Sequence, residues 1–414
     1  MRSVIIFLFI AYYLSLSLGP LVYIGKIPLT SYHLFFIVLL LSVIYKLSFK
    51  KQNIYVFSYL KAYVIIMFIF MLLFGIKLLD VSYISSLRDY IILYSGLQYV
   101  LLVLVLKEVF RYKDLSITLV KINFFIMFLM GIISVLQILN MFNVPNILLS
   151  FYSKLNSSSR MEYLYWNPRS TATFNLEPNT FGLYMAFSLL MFHMFYDFIK
   201  FNKLILLIVY LSGLIGLLLS GSFTALVIYV LSSLVYFFIY KKISVKLIVS
   251  LSVIMLILST VFYDNIEKSI KRQKLTSENL IPSSLKHRIN DRWVKVYNDF
   301  EEHYLIGIGP SAIQLDYSTD NEYFDKFLRH GIIGGLVFCF FILFLIVLPF
   351  YERRNVEDKF LKKMLLFSSL LALCFALASL TGTAFKAKRV SELFWIFYSL
   401  PFIKLYFQKK NATK

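Results

Sequence analysis

Apolar runs of similar length alternate with short polar segments along most of the chain. A transmembrane helix needs roughly 20 mainly apolar residues. Runs of that kind lie at about 2–18, 30–48, 59–79, 86–108, 117–140, 177–199, 203–220, 222–240, 245–263, 329–350, 361–384 and 390–407. The pattern predicts an all-α polytopic membrane protein with about twelve transmembrane helices, in which residues 1–414 form a single transmembrane domain.

The composition agrees with this class and narrows the chemistry. Hydrophobic residues make up 59% of the chain and charged residues 15%, whereas soluble domains carry about 25% charged residues. Cys339 and Cys374 both lie inside apolar runs, which excludes a disulfide framework and a cysteine-based zinc site. The sequence has no Asp-rich metal motif, so we expect no metal, no other cofactor and no nucleic-acid partner.

The net charge of +20 is distributed unevenly among the loops. Lysine and arginine concentrate in alternate short loops, for example at Lys50–Lys51, Lys107–Lys113 and Arg353–Lys363. Short loops rich in basic residues stay in the cytoplasm. The pattern therefore predicts that the N- and C-termini are both cytoplasmic.

Two outer segments are too long to be simple turns. One covers about 141–176, and the other covers about 264–328, between the ninth and tenth predicted spans. Loops longer than about 15 residues without regular structure are usually functional. We therefore expect the chemistry of the protein to lie on these two loops.

The first of these loops ends in a polar stretch that leads into a span. Arg169 lies in this stretch close to Trp166, and Glu177 lies at the start of the next helix, where Pro178 fits the first turn. Arg88 opens the fourth span on the same outer side and could join them. The alternatives are that Glu177 only complements the helix dipole and that Arg169 extends to lipid headgroups.

The second loop contains a candidate amphipathic helix. Its apolar positions follow the spacing i, i+4, i+7 and i+11, namely Ile289, Trp293, Val296 and Phe300. Arg288 and Arg292 are one turn apart and project together. Two guanidiniums on one face match the oxygens of a phosphate or diphosphate. The alternative is a solvated basic face that is attracted to anionic lipid.

A turn and a helix start follow. Gly307–Pro310 is predicted to form a tight turn, and Thr319 with Glu322 fits a capping box, which predicts a helix from Asp320. Asp320 and Tyr323 would then share a helical face. Asp320 is a candidate for binding or activating a hydroxyl, and the alternative is that it only offsets the helix dipole.

These patches resemble the O-antigen polymerase and O-antigen ligase superfamily of bacterial envelope biogenesis. The residues that carry the resemblance are Arg169, Phe174 and Glu177–Asn179, then Arg288, Arg292–Trp293 and Tyr304–Gly309, then Asp320–Tyr323 with Gly331–Gly334. Ligases of this superfamily commonly have His-Asn where this chain has Asp320-Asn321, which favours the polymerase branch. The Gly often found before the Phe is replaced by Thr171–Thr173.

The resemblance implies a membrane glycosyltransferase of the bacterial inner membrane. It would transfer the growing glycan from undecaprenyl diphosphate to the next lipid-linked repeat unit at the periplasmic face, on which both outer loops would then lie. Arg288, Arg292 and Arg169 would stabilise the charge of the leaving diphosphate. Asp320 or Glu177 would orient or deprotonate the acceptor hydroxyl. The remaining substrate-binding candidates are Arg88, Asn321, Tyr323 and Trp166.

The implied partners are undecaprenyl diphosphate-linked oligosaccharide and membrane lipids, with a chain-length regulator as a candidate protein partner. Three alternatives stay open at this point: a ligase that transfers the glycan to the lipid A core, a lipid-linked oligosaccharide flippase or transporter, and a scaffold. Transporters usually have paired repeats and charges near mid-membrane, whereas the polar residues here cluster on the outer side. A scaffold gives no reason for the arginine pairs.

Overall fold

The structure is a computed structural model of the chain. It describes residues 2–24, 27–48, 57–80, 83, 85–86, 89–90, 96–152, 169–174, 177–240, 267, 286–310 and 319–412. The chain divides into two compact units. The first unit comprises Met1–Leu39 and Asp114–Pro282, and the second comprises Leu40–Lys113 and Ser283–Lys414.

Helices account for nearly all of the regular structure described. They are α1 (Arg2–Leu18), α2 (Ser31–Ser48), α3 (Ser58–Lys77), α4 (Leu97–Phe110), α5 (Ser116–Ile138), α6 (Val144–Tyr152), α7 (Pro178–Phe195), α8 (Lys203–Leu219), α9 (Phe223–Tyr240), α10 (Trp293–Glu302), α11 (Glu322–Glu352), α12 (Lys359–Ala378) and α13 (Val390–Ala412). A short antiparallel hairpin, β1 (Leu21–Ile24) and β2 (Ile27–Thr30), connects α1 to α2.

The prediction of an all-α polytopic membrane protein is confirmed. Within the described ranges, six helices are long and apolar enough to cross a membrane: α3, α5, α7, α11, α12 and α13. Four shorter apolar helices, α1, α2, α8 and α9, also match predicted runs. The run at 245–263 lies outside the described residues, and the run at 86–108 is described only in part, mainly as α4. A continuous helix suits these runs because it pairs its own backbone groups without water.

In the first unit, the closest helix packing is that of α8 against α5. A Cβ on Gly131 of α5 would collide with the backbone and side chain of Ser212 on α8, so only glycine allows this approach. Ser212 Oγ also donates a hydrogen bond to Phe128 O across the interface, at 2.8 Å. Close backbone contact through small residues is a common way for apolar helices to associate. Helix α7 packs on α5, α8 and α9.

In the second unit, α11 is central. It packs against α3, α10 and α12, while α13 packs against α12 and α4. The helix begins at Glu322 because Asn321 caps it with its side chain, and no capping box of Thr319 and Glu322 forms. The predicted helix start at Asp320 is therefore wrong. The sequence pattern placed the cap at Thr319, two residues before Asn321. The Glu322 carboxylate accepts hydrogen bonds from other groups and does not complete a capping box.

Helix α11 is interrupted at Gly331, which has a φ of 64°. An interrupted helix leaves backbone groups without helical partners, and buried groups of that kind need others. The turn before α11 supplies them: Ile308 N donates to Leu328 O at 2.9 Å, and Gly309 N donates to Arg329 O at 3.1 Å. Beyond the interruption, Ile332 N donates to Tyr304 O at 2.7 Å. The predicted tight turn at 307–310 thus supplies hydrogen-bonding groups to the interrupted helix. Its glycines allow this backbone conformation, with φ values of 81° at Gly307 and 102° at Gly309.

We expect Gly331→Ala to lower the free energy of unfolding by about 2 kcal/mol or more, because alanine strains at positive φ and its Cβ would collide with Leu305 O. Gly75→Ala in α3 is the matched control, since a Cβ there meets nothing within 4 Å. The measurement is the apparent melting temperature of the full chain in detergent. Equal melting temperatures for the two variants would contradict this account of the interruption.

Candidate functional site

Two arginines and one aspartate meet in the second unit. Arg288 Nε lies 3.6 Å from Asp320 Oδ2, and Arg292 Nη1 donates a hydrogen bond to the same oxygen. The three side chains are between 20% and 36% exposed, so solvent reaches all of them. Like charges one turn apart on a helix repel each other. The shared carboxylate is therefore what holds the two guanidiniums side by side.

The arginines lie on an unusual helical turn. Arg288–Arg292 is a π-helix, and α10 continues from it as an α-helix. Of the predicted apolar stripe, Val296 is buried with Phe300 packed against it, whereas Ile289 is exposed. Ile289 lies on the π-turn, which holds more residues than an α-turn. That the apolar stripe lies on the membrane surface or against the other helices stays a prediction. Single π-turns occur frequently at functional sites.

The residues around the start of α11 have separate roles. Asp320 has a left-handed backbone, with φ 47°, and its side chain reaches the arginines. Asn321 Oδ1 accepts hydrogen bonds from Tyr323 N at 3.0 Å and Phe324 N at 3.1 Å. The Tyr323 hydroxyl donates to Ala376 O at 3.1 Å. The expectation that Asp320 and Tyr323 share a helical face is wrong, because Asp320 lies outside the helix.

Arg169 lies in the first unit, where its guanidinium is fixed. Its side chain is largely buried; Nε donates to Ser220 O at 2.8 Å and Nη2 donates to Asn179 Oδ1 at 2.7 Å. A guanidinium held in this way does not extend freely to lipid headgroups, so that alternative is not supported. Glu177 precedes α7 and is exposed, and its Oε2 accepts a hydrogen bond from Thr180 Oγ1 at 3.0 Å.

The loop that carries Arg169 is held by a residue that the sequence analysis missed. Gln137, near the end of α5, accepts three hydrogen bonds at its Oε1, from Ser170 Oγ (3.0 Å), Thr171 N (3.0 Å) and Ala172 N (3.1 Å). Ala172 has a φ of 42°. The whole segment 169–174 is buried, and buried irregular backbone needs such partners. The signal in the sequence was an amide side chain near the end of a mainly apolar run.

A second charged cluster, also missed, lies on the first turns of α11. Asp325 accepts a hydrogen bond from Arg329 Nε at 2.6 Å and one from Lys386 Nζ. Arg329 Nη1 also donates to Pro310 O, at the end of the tight turn. Lys386 is 61 residues from Asp325 in the sequence, so the spacing of the cluster gave no motif.

Tyr83 packs against the same tight turn. A Cβ on Gly309 would lie 2.5 Å from the Tyr83 hydroxyl oxygen, so glycine is needed for this contact. Partial burial, followed by the nearby Asp89 carboxylate, raises the pKa of the Tyr83 phenol.

The predicted site residues fall into three groups. Arg88 and Trp166 lie outside the described residues. The first unit holds Arg169 and Glu177, and the second unit holds Arg288, Arg292, Asp320, Asn321 and Tyr323. That all of them serve one site stays a prediction.

The arginine pair is suited to binding an anion. A guanidinium is planar and donates hydrogen bonds in pairs to carboxylate or phosphate oxygens. Arg288, Arg292 and Asp320 together keep one positive charge, and their partial exposure leaves donors accessible. In the parts of the chain that are described, no group of three or more His, Cys, Asp or Glu side chains could hold a metal ion.

One family model, described as O-antigen ligase, matches residues 206–339. The match begins in α8, ends in α11, and includes the arginine pair, Asp320 and the interrupted helix. No curated protein matches the chain. The family implies a membrane glycosyltransferase-like enzyme of O-antigen and lipopolysaccharide biosynthesis. The match thereby confirms the resemblance of this multi-pass membrane protein to the O-antigen polymerase and ligase superfamily, without separating the two branches.

Proposed function

We propose that the chain is a repeat-unit polysaccharide polymerase. It transfers the growing glycan from undecaprenyl diphosphate to the next lipid-linked repeat unit, at the periplasmic face of the inner membrane. The observation that carries the proposal is the pair of guanidiniums that one carboxylate holds together, within the region that matches the family model.

The leaving group of this reaction explains why two arginines are needed. When the glycosidic bond to the carrier breaks, negative charge develops on the diphosphate. Preorganised cations stabilise such charge better than mobile ones, because they do not have to reorient during the reaction. Arg288 and Arg292 are preorganised by Asp320. Arg169, whose guanidinium is fixed by Ser220 and Asn179, is the third proposed cation.

Two carboxylates are candidates for handling the acceptor hydroxyl. Asp320 forms ion pairs with both arginines, so any hydroxyl that it orients is brought directly beside the diphosphate site. Glu177 is exposed and is engaged only by Thr180 among the contacts described for it. We propose Asp320 as the main residue and Glu177 as the alternative base. Arg88, Asn321, Tyr323 and Trp166 remain the proposed substrate-binding residues, although the Asn321 side chain also caps α11.

The choice of polymerase over ligase depends on one position. The resemblance places His-Asn in ligases where this chain has Asp320-Asn321. An aspartate at this position pairs with the arginines, which a neutral imidazole cannot do in the same way. The proposed partners are lipid-linked oligosaccharide, membrane lipids and a chain-length regulator, and both termini are proposed to be cytoplasmic.

Deletion of the gene, followed by gel analysis of envelope polysaccharide, tests the reaction type. We expect product with a single repeat unit attached to the acceptor, because assembly would stop before the first transfer between carriers. Unattached full-length polymer would instead identify a ligase. Precursor trapped on the inner leaflet would identify a flippase.

In the deletion strain, we expect Arg288→Ala and Arg292→Ala each to reduce long-chain glycan by about 10²–10³-fold, the usual loss when one preorganised charge-stabilising donor is removed. Lys295→Ala, an exposed basic residue of α10, is the matched control and should support normal chain lengths. The measurement is the ladder of glycan lengths at equal amounts of membrane-inserted protein. Normal ladders in both arginine variants would remove the diphosphate-binding role.

We expect Asp320→Asn to reduce polymerisation by about tenfold or more, because the amide can neither accept a proton as a base nor pair fully with two guanidiniums. Asp291→Asn is the matched control, because it changes an exposed carboxylate on the π-turn that carries the arginines. It should leave the ladder unchanged. If Asp320→Asn supports the full ladder, its carboxylate has a structural role only.

A further inference from the structure

Two carboxylates next to the arginine site have no part in the proposed reaction. Glu322 is 1% exposed and Asp325 is 2% exposed, and both lie on the first turn of α11. Burying a carboxylate is costly unless the group is paired. The groups with which these two side chains pair therefore indicate their role.

Glu322 binds the connection between α12 and α13. Its backbone N donates to Ser379 O at 2.8 Å. Its carboxylate accepts hydrogen bonds from Ser379 Oγ at 3.0 Å and from Phe385 N at 2.9 Å. The connection is thus fixed to the beginning of α11 by both main-chain and side-chain contacts.

Asp325 extends this attachment in two directions. Its carboxylate pairs with Lys386, which lies on the same connection, and with Arg329, one turn further along α11. Arg329 in turn donates to Pro310 O on the tight turn. Lys326, the neighbouring cation, lies instead over the rings of Phe70 and Phe338, at 5.2 and 5.5 Å. Asp325 therefore joins three separate segments of the second unit.

The arginine pair depends on the position of this first turn. Asp320 lies two residues before Glu322, and Asn321 ties it directly to the helix start. On the other side, the Trp293 ring packs at a right angle on Phe324, with centroids 5.2 Å apart. A shift of the first turn would therefore change both the contact of Asp320 with the arginines and the packing of Phe324 on Trp293.

We infer that the Asp325–Lys386 ion pair is a positioning pair for Arg288 and Arg292. It holds the first turn of α11 in the place where Asp320 binds both guanidiniums. This inference rests on the proposed function. Removing one partner of an ion pair is strongly destabilising when it leaves a buried charge uncompensated. Arg329 still pairs with Asp325 when Lys386 is replaced, so the effect of Lys386 should appear in the geometry of the site rather than mainly in folding.

The first test compares three variants of the full chain in the deletion strain. Lys386→Met removes the charge and keeps most of the side-chain length; we expect it to lower polymerisation by about tenfold to hundredfold, because small displacements of catalytic groups cost that much. Lys386→Arg keeps the ion pair and should restore most of the activity. Lys388→Met, an exposed lysine of the same connection, should support the normal ladder.

The second test reads the geometry without any substrate. The emission of Trp293 is obtained as the difference between each purified variant and the same variant with Trp293→Phe. We expect Lys386→Met to shift this emission to longer wavelength and to increase its quenching by acrylamide. Lys386→Arg and Lys388→Met should leave both quantities unchanged. A purely structural role, with uniform loss of folded protein, would lower the yield without moving the Trp293 signal of the remainder.

The outcomes separate the inference from the proposed function. A normal ladder and an unchanged Trp293 signal in Lys386→Met, with Arg292→Ala inactive, would overturn the inference alone. A reduced ladder with an unchanged Trp293 signal would also overturn it, because Lys386 would then act by another route. Normal ladders in both Arg288→Ala and Arg292→Ala would overturn the proposed role of the arginines, whatever the Lys386 variants show.

Discussion

In this apolar chain, buried backbone groups and buried carboxylates need hydrogen-bonding or ionic partners. The described structure depends on how those partners are supplied. Where the helices are continuous, they meet this need alone. In three irregular segments of the described residues, a specific partner is present. The interruption at Gly331 is bonded to the turn at 304–310, and the buried loop 169–174 is bonded to Gln137. The connection after α12 is bonded to Glu322. Each irregular segment is therefore fixed rather than loose.

These same partners lie next to the candidate chemistry. Gln137 holds the loop that presents Arg169, and Glu322 and Asp325 hold the turn that presents Asp320. Non-glycine residues with positive φ occur at the corresponding points, namely Ala172 and Asp320. Such conformations cost free energy and persist only where the surroundings determine them. In each unit, the contacts that fix the irregular backbone therefore also set the position of the charged side chain.

The sequence predicted much of the fold, because the length of an apolar run is a local property. Most of the described helices begin within two residues of the predicted runs, whereas α12 ends six residues earlier than its run and α13 ends five residues later. The turn at 307–310 was recognised from its glycines. The start of α11 was placed wrongly, since Asn321 and Thr319 compete for the cap and the sequence does not decide between them. The π-turn at Arg288–Arg292 was not predicted, because a π-turn has no sequence signal. Asp325 was missed because its partner Lys386 is 61 residues away.

The arrangement of one aspartate between two arginines has a consequence for turnover. Asp320 takes up only part of the hydrogen-bonding capacity of the two guanidiniums, since Arg292 donates to it and Arg288 lies 3.6 Å from it. Under the proposed function, a diphosphate would bind the remaining donors while the carboxylate stays in place. The internal negative charge offsets one of the two positive charges, so the site holds a spent diphosphate less strongly than two unpaired arginines would. A spent carrier would then leave readily, and the enzyme would avoid being blocked by its own by-product.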